Sequence, residues 1–352
     1  MPFKIAITCE TFVDMAPVFR HPGVQFEVVD HGPIGDHKKY VEALRDADGA
    51  LISTVPLTDR ELMEACPKLK IVSRMGVGVD SIDLQAATEL GVLASNVPGV
   101  NTVEVADHTM AMLLAIIRQI PQSLEATRRG AWSDDPKAMR QFQMTVGRIA
   151  GNVVGIIGFG NIGRAFATRV RGFGPKRVIA YDPYVSQSAG DLFGVELVSL
   201  EDLLAEADFI TVHTPLTTET RHLINADTLH KMKPSAILLN CARGPIVDQV
   251  ALHAALRDGV IAFAGIDVTE REPIDPEDPL LSLPNVFVTP HLAGYSPTFL
   301  HECGIKQAEN VVRALTGRRP HGLANPDVVK TIAVMRAGGG AHRWQGTADI
   351  SA

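Results

Sequence analysis

The run Val153–Phe166, VVGIIGFGNIGRAF, constrains the fold of this chain more than any other stretch. VVGII is continuously apolar, as a strand buried on both faces requires. Gly158, Gly160 and Gly163 follow in G-x-G-x-x-G order, with an amphipathic segment after them. The first glycine permits a tight turn, the second lets a ligand approach the backbone, and the third lets the helix pack close to the strand. The helix start then offers unpaired N–H groups and a positive dipole end to a pyrophosphate. Nineteen residues past Gly163, at the tip of the strand-like run RVIAYD, stands Asp182. A carboxylate there accepts hydrogen bonds from ribose hydroxyls and repels a 2′-phosphate, so the order of elements predicts a dinucleotide site favouring NAD over NADP.

Such a turn usually opens a domain, yet here about 150 residues precede it. Within residues 1–100, Lys4–Thr8, Gln25–Val29, Gly49–Ser53, Lys70–Arg74 and Leu93–Asn96 read as strands. Tyr40–Asp46, Asp59–Ala65 and Leu84–Glu89 read as the helices between them. This alternation implies parallel strands with crossover helices. A longer helical pattern, Val103–Gln119, follows. After the glycine turn come the strand-like runs Arg177–Asp182, Phe209–Thr214, Ala236–Asn240, Phe263–Val268 and Asn285–Pro290. Ser199 with Asp202 has capping-box character, Asn225 and Asp248 are good N-cap types, and a last helix spans about 297–315 with Ser296 as its cap. The expected fold class is α/β, with two Rossmann-like or flavodoxin-like parallel-sheet domains and a cleft between them. Residues 331–352 are rich in Gly and Ala without periodicity and read as a flexible C-terminal tail.

A length of 352 residues suits two domains rather than one core. The net charge of −7 argues against nucleic acid or an anionic membrane as the main partner. No apolar run approaches the length of a membrane span, and the N-terminus lacks the layout of a signal peptide. Cys9, Cys66, Cys241 and Cys303 show neither disulfide-framework nor metal-ligand spacing, so the reading is a cytoplasmic protein with no metal site.

Three later motifs put ionisable groups just past strand ends: Arg243 in NCARGPIVD, Asp267 and Glu272 in DVTEREP, and His291 in VTPHLAGYS. Parallel strands would deliver all of them to the edge of the sheet that bears the glycine turn. Hydride exchange between a nicotinamide and a 2-hydroxy acid needs a proton shuttle on the hydroxyl oxygen, which His supplies near neutrality. A neighbouring carboxylate favours the imidazolium and fixes its tautomer. Arg offers the substrate carboxylate a bidentate fork that Lys cannot copy. His21, His31, His37, His230 and His301 gain no role. His213 and His222 flank a strand-end loop and stay undecided. Arg74 and Arg118 suit either a distal anion on the substrate or an ordinary surface charge, and the second reading is preferred.

Together with RMGVGVDSID (74–83), NVPGVNTVEVADHTMAMLLA (96–115), VHTPLTTETRHLIN (212–225) and LLNCARGPIVDQVAL (238–252), these motifs closely resemble the NAD-dependent D-isomer-specific 2-hydroxyacid dehydrogenase family, which includes phosphoglycerate dehydrogenase. The resemblance covers about residues 45–320. It implies that Arg243, Glu272 and His291 are the catalytic trio, and that Met75, Gly76, Val77 and Gly78, with Arg243, hold the substrate carboxylate. It also implies that Gly158, Gly160, Asn161, Ile162, Gly163, Asp182, Thr214, Cys241, Ala242, Arg243 and Asp267 touch the dinucleotide, with Asp267 near the carboxamide. The family fold accounts for the mid-chain glycine turn. A substrate domain, residues 1–100 completed by 296–330, is interrupted by a cofactor domain over 101–295. The implied function is hydride transfer on a small D-2-hydroxy or 2-keto acid, of phosphoglycerate dehydrogenase or glyoxylate/hydroxypyruvate reductase type, in a homodimer joined through the cofactor domain. VPGVNTVEVADHT and TPHLAGYS look especially like the branch of the C-terminal-binding-protein corepressors, so an NAD(H)-sensing interaction protein is the alternative. Formate-type relatives lack the glutamate, and Glu272 argues against them.

Overall fold

The computed structural model describes residues 1–338 and 340–350. The chain forms two compact units, one from Met1–Asn101 together with the segment beginning at Ser296, the other from Thr102–Tyr295.

The first unit opens with β1 (Phe3–Ile7), β2 (Phe26–Asp30), α1 (His37–Leu44), β3 (Gly49–Ile52), α2 (Arg60–Ala65), β4 (Ile71–Arg74), α3 (Leu84–Glu89) and β5 (Leu93–Ser95). Each of these three helices begins on an aspartate, Asp36, Asp59 or Asp83, whose side chain accepts a first-turn N–H. All five strands pair in parallel in the order β2-β1-β3-β4-β5, the flavodoxin-like arrangement. β3 and β4 are buried along their whole length, which explains why GALI and IVSR do not alternate. Arg74, at the end of β4, is 4% exposed, so the expectation of a surface charge is wrong there. Arg118 is exposed and donates to the Gly147 carbonyl.

The second unit begins with α4 (Thr102–Ile117), α5 (Ile120–Arg128), α6 (Ala131–Asp134) and α7 (Pro136–Thr145). It continues through β6 (Val153–Ile157), α8 (Asn161–Arg171), β7 (Arg177–Tyr181), α9 (Gln187–Asp191), β8 (Glu196–Leu197), α10 (Leu200–Glu206) and β9 (Phe209–Val212). Then come α11 (Ala226–His230), β10 (Ile237–Asn240), α12 (Gln249–Arg257), β11 (Phe263–Ile266) and β12 (Val286–Val288). Ser199, Asn225 and Asp248 each cap the helix that follows them, and Asn225 closes a full capping box with Thr228. The sheet is parallel throughout, in the order β12-β11-β10-β9-β6-β7-β8. Its direction of winding reverses between β9 and β6, the topological switch point of a Rossmann sheet, and the glycine turn leaves β6 at that point. α4 packs on the sheet so closely that a β-carbon at Gly265 would stand 2.5 Å from Met112 Sδ.

Register fixes where the chemistry can be. Ile157 pairs with Val212, Val212 with Asn240, Asn240 with Ile266, and Ile266 with Val288. Five strands therefore end in one row, and the turns after them leave from a single edge.

The chain then returns to the first unit with α13 (Pro297–Leu315) and α14 (Val328–Ala337). Ser296 caps α13 by accepting the Phe299 N–H. The buried Gln307 amide donates to the carbonyls of Ile52 and Ser73, and Asn310 donates to Asn96 O, so polar groups lock α13 to the strand ends. A β-carbon at Gly49 would come within 2.7 Å of Val311 Cγ1, so glycine lets β3 and α13 meet closely.

Within 331–352 the flexible tail expected from composition is corrected. α14 covers its start, Trp344 is 1% exposed and its indole N–H donates to Gly91 O at 2.6 Å. The Arg343 guanidinium donates to the carbonyls of Met63, Cys66 and Leu69 around the end of α2. Burial pushes that guanidinium down to about 10, which still leaves it charged at neutral pH. Two anchoring side chains among many glycines and alanines carry no periodicity for a sequence reading to find. Gly339, Ser351 and Ala352, also part of that expected tail, lie outside the described residues.

Candidate active site

The turn after β6 is built around close backbone contacts. Gly158 has φ +91°, and a β-carbon there would stand 2.6 Å from Thr214 N and 2.7 Å from His213 C. A β-carbon at Gly163 would meet Gly158 O at 2.2 Å, so α8 can start only against a glycine. Nothing lies within 4 Å of the corresponding position at Gly160. Gly160 also serves as the N-cap of α8 with no side chain capping the helix. The first-turn N–H groups, Asn161 and Ile162 among them, thus open toward space that a pyrophosphate can fill.

Asp182 stands at the end of β7. Its Oδ2 accepts the Phe159 N–H at 2.9 Å and its Oδ1 accepts the Tyr184 N–H at 3.0 Å. The carboxylate is thereby tied to the glycine turn, and each oxygen keeps a lone pair for a further donor. Ile162, Cys241, Ala293 and Val105 pack into one small apolar cluster. That contact brings together the start of α8, the end of β10 and the turn after β12. Burial pushes the Cys241 thiol up to about 12, so it contributes shape and no thiolate.

Asp267, 1% exposed, follows β11 and organises the turn after β12. Its Oδ1 accepts from Thr289 Oγ1 at 2.6 Å and from Leu292 N at 2.9 Å, and its Oδ2 accepts from Ala293 N at 2.8 Å. The His291 N–H donates to Asp267 O at 2.8 Å, which holds His291 at φ +54°. His108 on α4 reaches Thr289 Oγ1 at 3.2 Å and supports the same turn. Sequence reasoning missed His108 and Thr289. Each looks ordinary in the chain and matters only through a partner more than twenty residues away.

The three candidate catalytic groups lie in this unit and two of them touch. His291 Nδ1 is 2.7 Å from Glu272 Oε2, and Glu272 Oε1 accepts the Thr269 N–H at 3.1 Å. Half-burial raises the Glu272 carboxyl, but the His291 hydrogen bond and charge, the Thr269 amide and the Arg243 guanidinium outweigh it, so the carboxyl sits below its ordinary value. Glu272 is therefore an ionised acceptor at neutral pH and Nδ1 carries the proton. Nε2 is then the acceptor nitrogen of the ring. Arg243 leaves β10 through a turn in which Asn240 Nδ2 donates to Arg243 O and Asn240 Oδ1 accepts the Ala242 N–H. Its Nη1 donates to Ala242 O at 2.7 Å.

In the first unit, the loop after β4 presents main-chain donors. The Met75 N–H is used by Ile52 O, and the Gly76 N–H by the sulfur of Cys303 at 3.1 Å. Val77 O accepts from Asn96 Nδ2 at 2.5 Å. Among the described residues, the N–H groups of Val77 and Gly78 meet no acceptor. Of the four residues of this loop read as holding a carboxylate, these two carry the available donors.

A family model for the NAD-binding domain of D-isomer specific 2-hydroxyacid dehydrogenases matches residues 110–293. A glyoxylate reductase of Korarchaeum cryptofilum is 41% identical over 83% of this chain and 87% of its own. The D-3-phosphoglycerate dehydrogenase of Mycobacterium leprae is 42% identical over 87% of this chain and 56% of its own length. This chain belongs to the D-isomer-specific 2-hydroxyacid dehydrogenase family. Among solved structures, the TT0316 protein of Thermus thermophilus is 34% identical with a TM-score of 0.81, covering 92% of this chain and all of that one. An NADPH-dependent glyoxylate/hydroxypyruvate reductase of Sinorhizobium meliloti, solved with NADP and malonate, is 30% identical with a TM-score of 0.78, covering 92% and 98%.

The dehydrogenase is an oxidoreductase acting on a CH–OH group, with a nicotinamide dinucleotide as cofactor, and it spans about half the length of the phosphoglycerate dehydrogenases it matches. The open start of α8 and the bare Gly160 fit the diphosphate of such a cofactor. Among the described residues, no helix is long and apolar enough to cross a membrane, and no group of three or more His, Cys, Asp and Glu could hold a metal ion.

Proposed function

We propose that this dehydrogenase interconverts a small D-2-hydroxy acid and its 2-keto form with NAD(H), in the manner of a phosphoglycerate dehydrogenase or a glyoxylate/hydroxypyruvate reductase. The observation that carries the proposal is the 2.7 Å contact between His291 Nδ1 and Glu272, with Arg243 close enough to stabilise the Glu272 charge. A nicotinamide held there would supply or take the hydride. In reduction, the Arg243 guanidinium and the amides of Val77 and Gly78 bind the substrate carboxylate, Met75 and Gly76 shape that loop, and His291 Nε2 donates a proton to the carbonyl oxygen. Glu272 keeps the imidazole oriented and compensates its charge. In oxidation, Nε2 takes the hydroxyl proton.

Gly158, Gly160, Asn161, Ile162 and Gly163 would hold the diphosphate of the dinucleotide, Asp182 its ribose, and Thr214, Cys241, Ala242, Arg243 and Asp267 its nicotinamide half. The fixed Asp182 carboxylate supports NAD over NADP by repelling a 2′-phosphate. Replacing Asp182 with Ser is expected to narrow that preference by at least tenfold in kcat/KM.

A homodimer belongs to the same proposal. Ile120, Leu124, Trp132 and Met144 on α5–α7 are exposed apolar side chains, with Trp132 at 74% and Met144 at 81%, and a second copy would cover them. Light scattering should give twice the chain mass, and Trp132→Glu with Met144→Glu should halve it. A cytoplasmic setting is supported by four free, buried cysteines.

The deciding experiment is turnover of NADH with a panel of glyoxylate, hydroxypyruvate, pyruvate and the phosphorylated three-carbon keto acid. Saturable oxidation with at least one of them is expected. Tight NAD(H) binding with negligible turnover on all would overturn the proposal in favour of an NAD(H)-sensing interaction protein.

A further inference from the structure

The loop that carries Glu272 is gripped at a second point. Glu270, two residues earlier, is hydrogen-bonded to His222 Nε2. His222 lies between β9 and α11 with φ +50°, a left-handed conformation that a β-carbon disfavours. Its backbone N–H donates to Pro245 O at 2.8 Å, and Pro245 belongs to the tight turn Gly244–Ile246 directly after Arg243. One residue thus binds the turn that presents Arg243 through its backbone and the loop that presents Glu272 through its ring.

The surrounding contacts make this bridge rigid. Gly244 packs so tightly on the same loop that a β-carbon there would lie 1.9 Å from Thr269 O. The Glu270 N–H donates to Gln249 Oε1 at 3.0 Å, and Gln249 in turn donates to Asp278 Oδ2 at 2.8 Å. The Asn225 side chain donates to His222 O at 3.0 Å, and Asp248 Oδ2 lies 4.0 Å from His222 Nδ1. The His222 side chain is 38% exposed, so truncating it opens no core cavity. Its bonds, rather than its bulk, are what the fold uses.

We propose that His222 is a positioning residue for the hydride-transfer reaction: by bridging Pro245 and Glu270 it sets Glu272 against His291 while holding the Arg243 turn alongside. The proposal rests on the reading of Arg243, Glu272 and His291 given above. Displacing a catalytic group by about 1 Å can cost about 100-fold in rate, and this bridge is a remote point where such a displacement would start.

The test measures kcat and KM of the full chain with NADH and the best keto acid of the panel. His222→Ala should lower kcat about 10- to 100-fold with KM within about twofold, read at a temperature where its melting curve shows it folded. His222→Gln, whose amide N–H can still reach Glu270, should recover most of the loss. In a Glu272→Gln background the same His222→Ala change should have no further effect, because the group it positions no longer acts. A wild-type kcat in His222→Ala, a loss confined to KM, or a loss that Gln does not rescue and that adds to Glu272→Gln would each overturn the proposal. Glu270→Ala repeats the measurement from the other side of the pair if His222→Ala does not fold, and a wild-type kcat there has the same meaning. His291→Ala is run in parallel. If it keeps its rate, the reading of the trio fails; if it loses its rate while His222→Ala does not, only the present proposal fails.

Discussion

The turns after β9 and β12 each carry a histidine at the same edge of one sheet, and the two histidines live in opposite environments. His213 is half-buried with its Nδ1 shut off from solvent, its ring lies 5.7 Å from that of Phe166, and its Nε2 meets Thr211 Oγ1 at 2.9 Å. Among the described residues no carboxylate contacts it, and desolvation pushes it down to about 3. Its backbone forms the wall against which Gly158 turns. The His291 side chain is 42% exposed and holds the Glu272 carboxylate on Nδ1. A strand-end histidine is equipped to exchange a proton with a ligand where solvent reaches its ring and a carboxylate fixes one of its nitrogens. Where the ring is desolvated and has no carboxylate, the same residue is a neutral structural ring.

The widest separation between the two should appear in kcat. His291→Ala is expected to lower kcat by about 10²–10⁴-fold, the usual contribution of a positioned acid–base group. His213→Gln, which keeps a donor near Thr211, should stay within a few-fold of wild type. Equal losses in steady-state rates would erase the distinction.

The carboxylate comes next. Glu272→Gln keeps an acceptor for Nδ1 but removes the charge, and kcat should fall about 10- to 100-fold. Its effect on stability has a defined sign. The folded-state value of Glu272 lies below the ordinary 4.5, so its contribution is complete above that value and is lost as pH falls through the lowered one. Acid unfolding of Glu272→Gln should lack that component, and an unchanged acid limb would contradict the pairing. Arg243→Lys should be smaller still in kcat and fall chiefly on substrate KM, about tenfold, because an ammonium cannot copy the bidentate fork.

How much of this contrast was legible in the chain follows from where the contacts come from. The positions of Gly158, Arg243, Glu272 and His291 past strand ends could be read because parallel strands share a direction and their runs are apolar. Ser199, Asn225, Asp248 and Ser296 could be read as caps because capping is local. His213 and His222 could not be separated from the sequence, since packing against Phe166 and pairing with Glu270 are made across forty or more residues. The helices over 120–145 escaped for a related reason: α6 and α7 bury no side chain fully, and only Ala126 of α5 is buried, so no core stripe marks them. Arg343 and Trp344 dock through a few long-range bonds that composition hides.

The smallest effect offers the cleanest check on the desolvated member of the pair. Below its ordinary value of 6.5, His213 takes up a proton in the unfolded chain but stays neutral in the fold until about pH 3. Unfolding therefore binds a proton over that window, and stability falls as pH drops from 6.5 toward 3, with no such dependence above 6.5. Each pH unit inside the window is worth about 1.4 kcal/mol, so His213 should cost roughly 2 kcal/mol of stability between pH 7.5 and pH 5. His213→Gln cannot bind that proton, so whatever its effect on packing, the difference in its urea-unfolding free energy between the two pH values should shrink by that amount. The comparison uses a slope against pH, which packing losses common to both conditions leave untouched. A variant with the wild-type slope would mean that the His213 ring takes up a proton in the folded protein as readily as in the unfolded chain, and the two turns would then differ in their carboxylate alone.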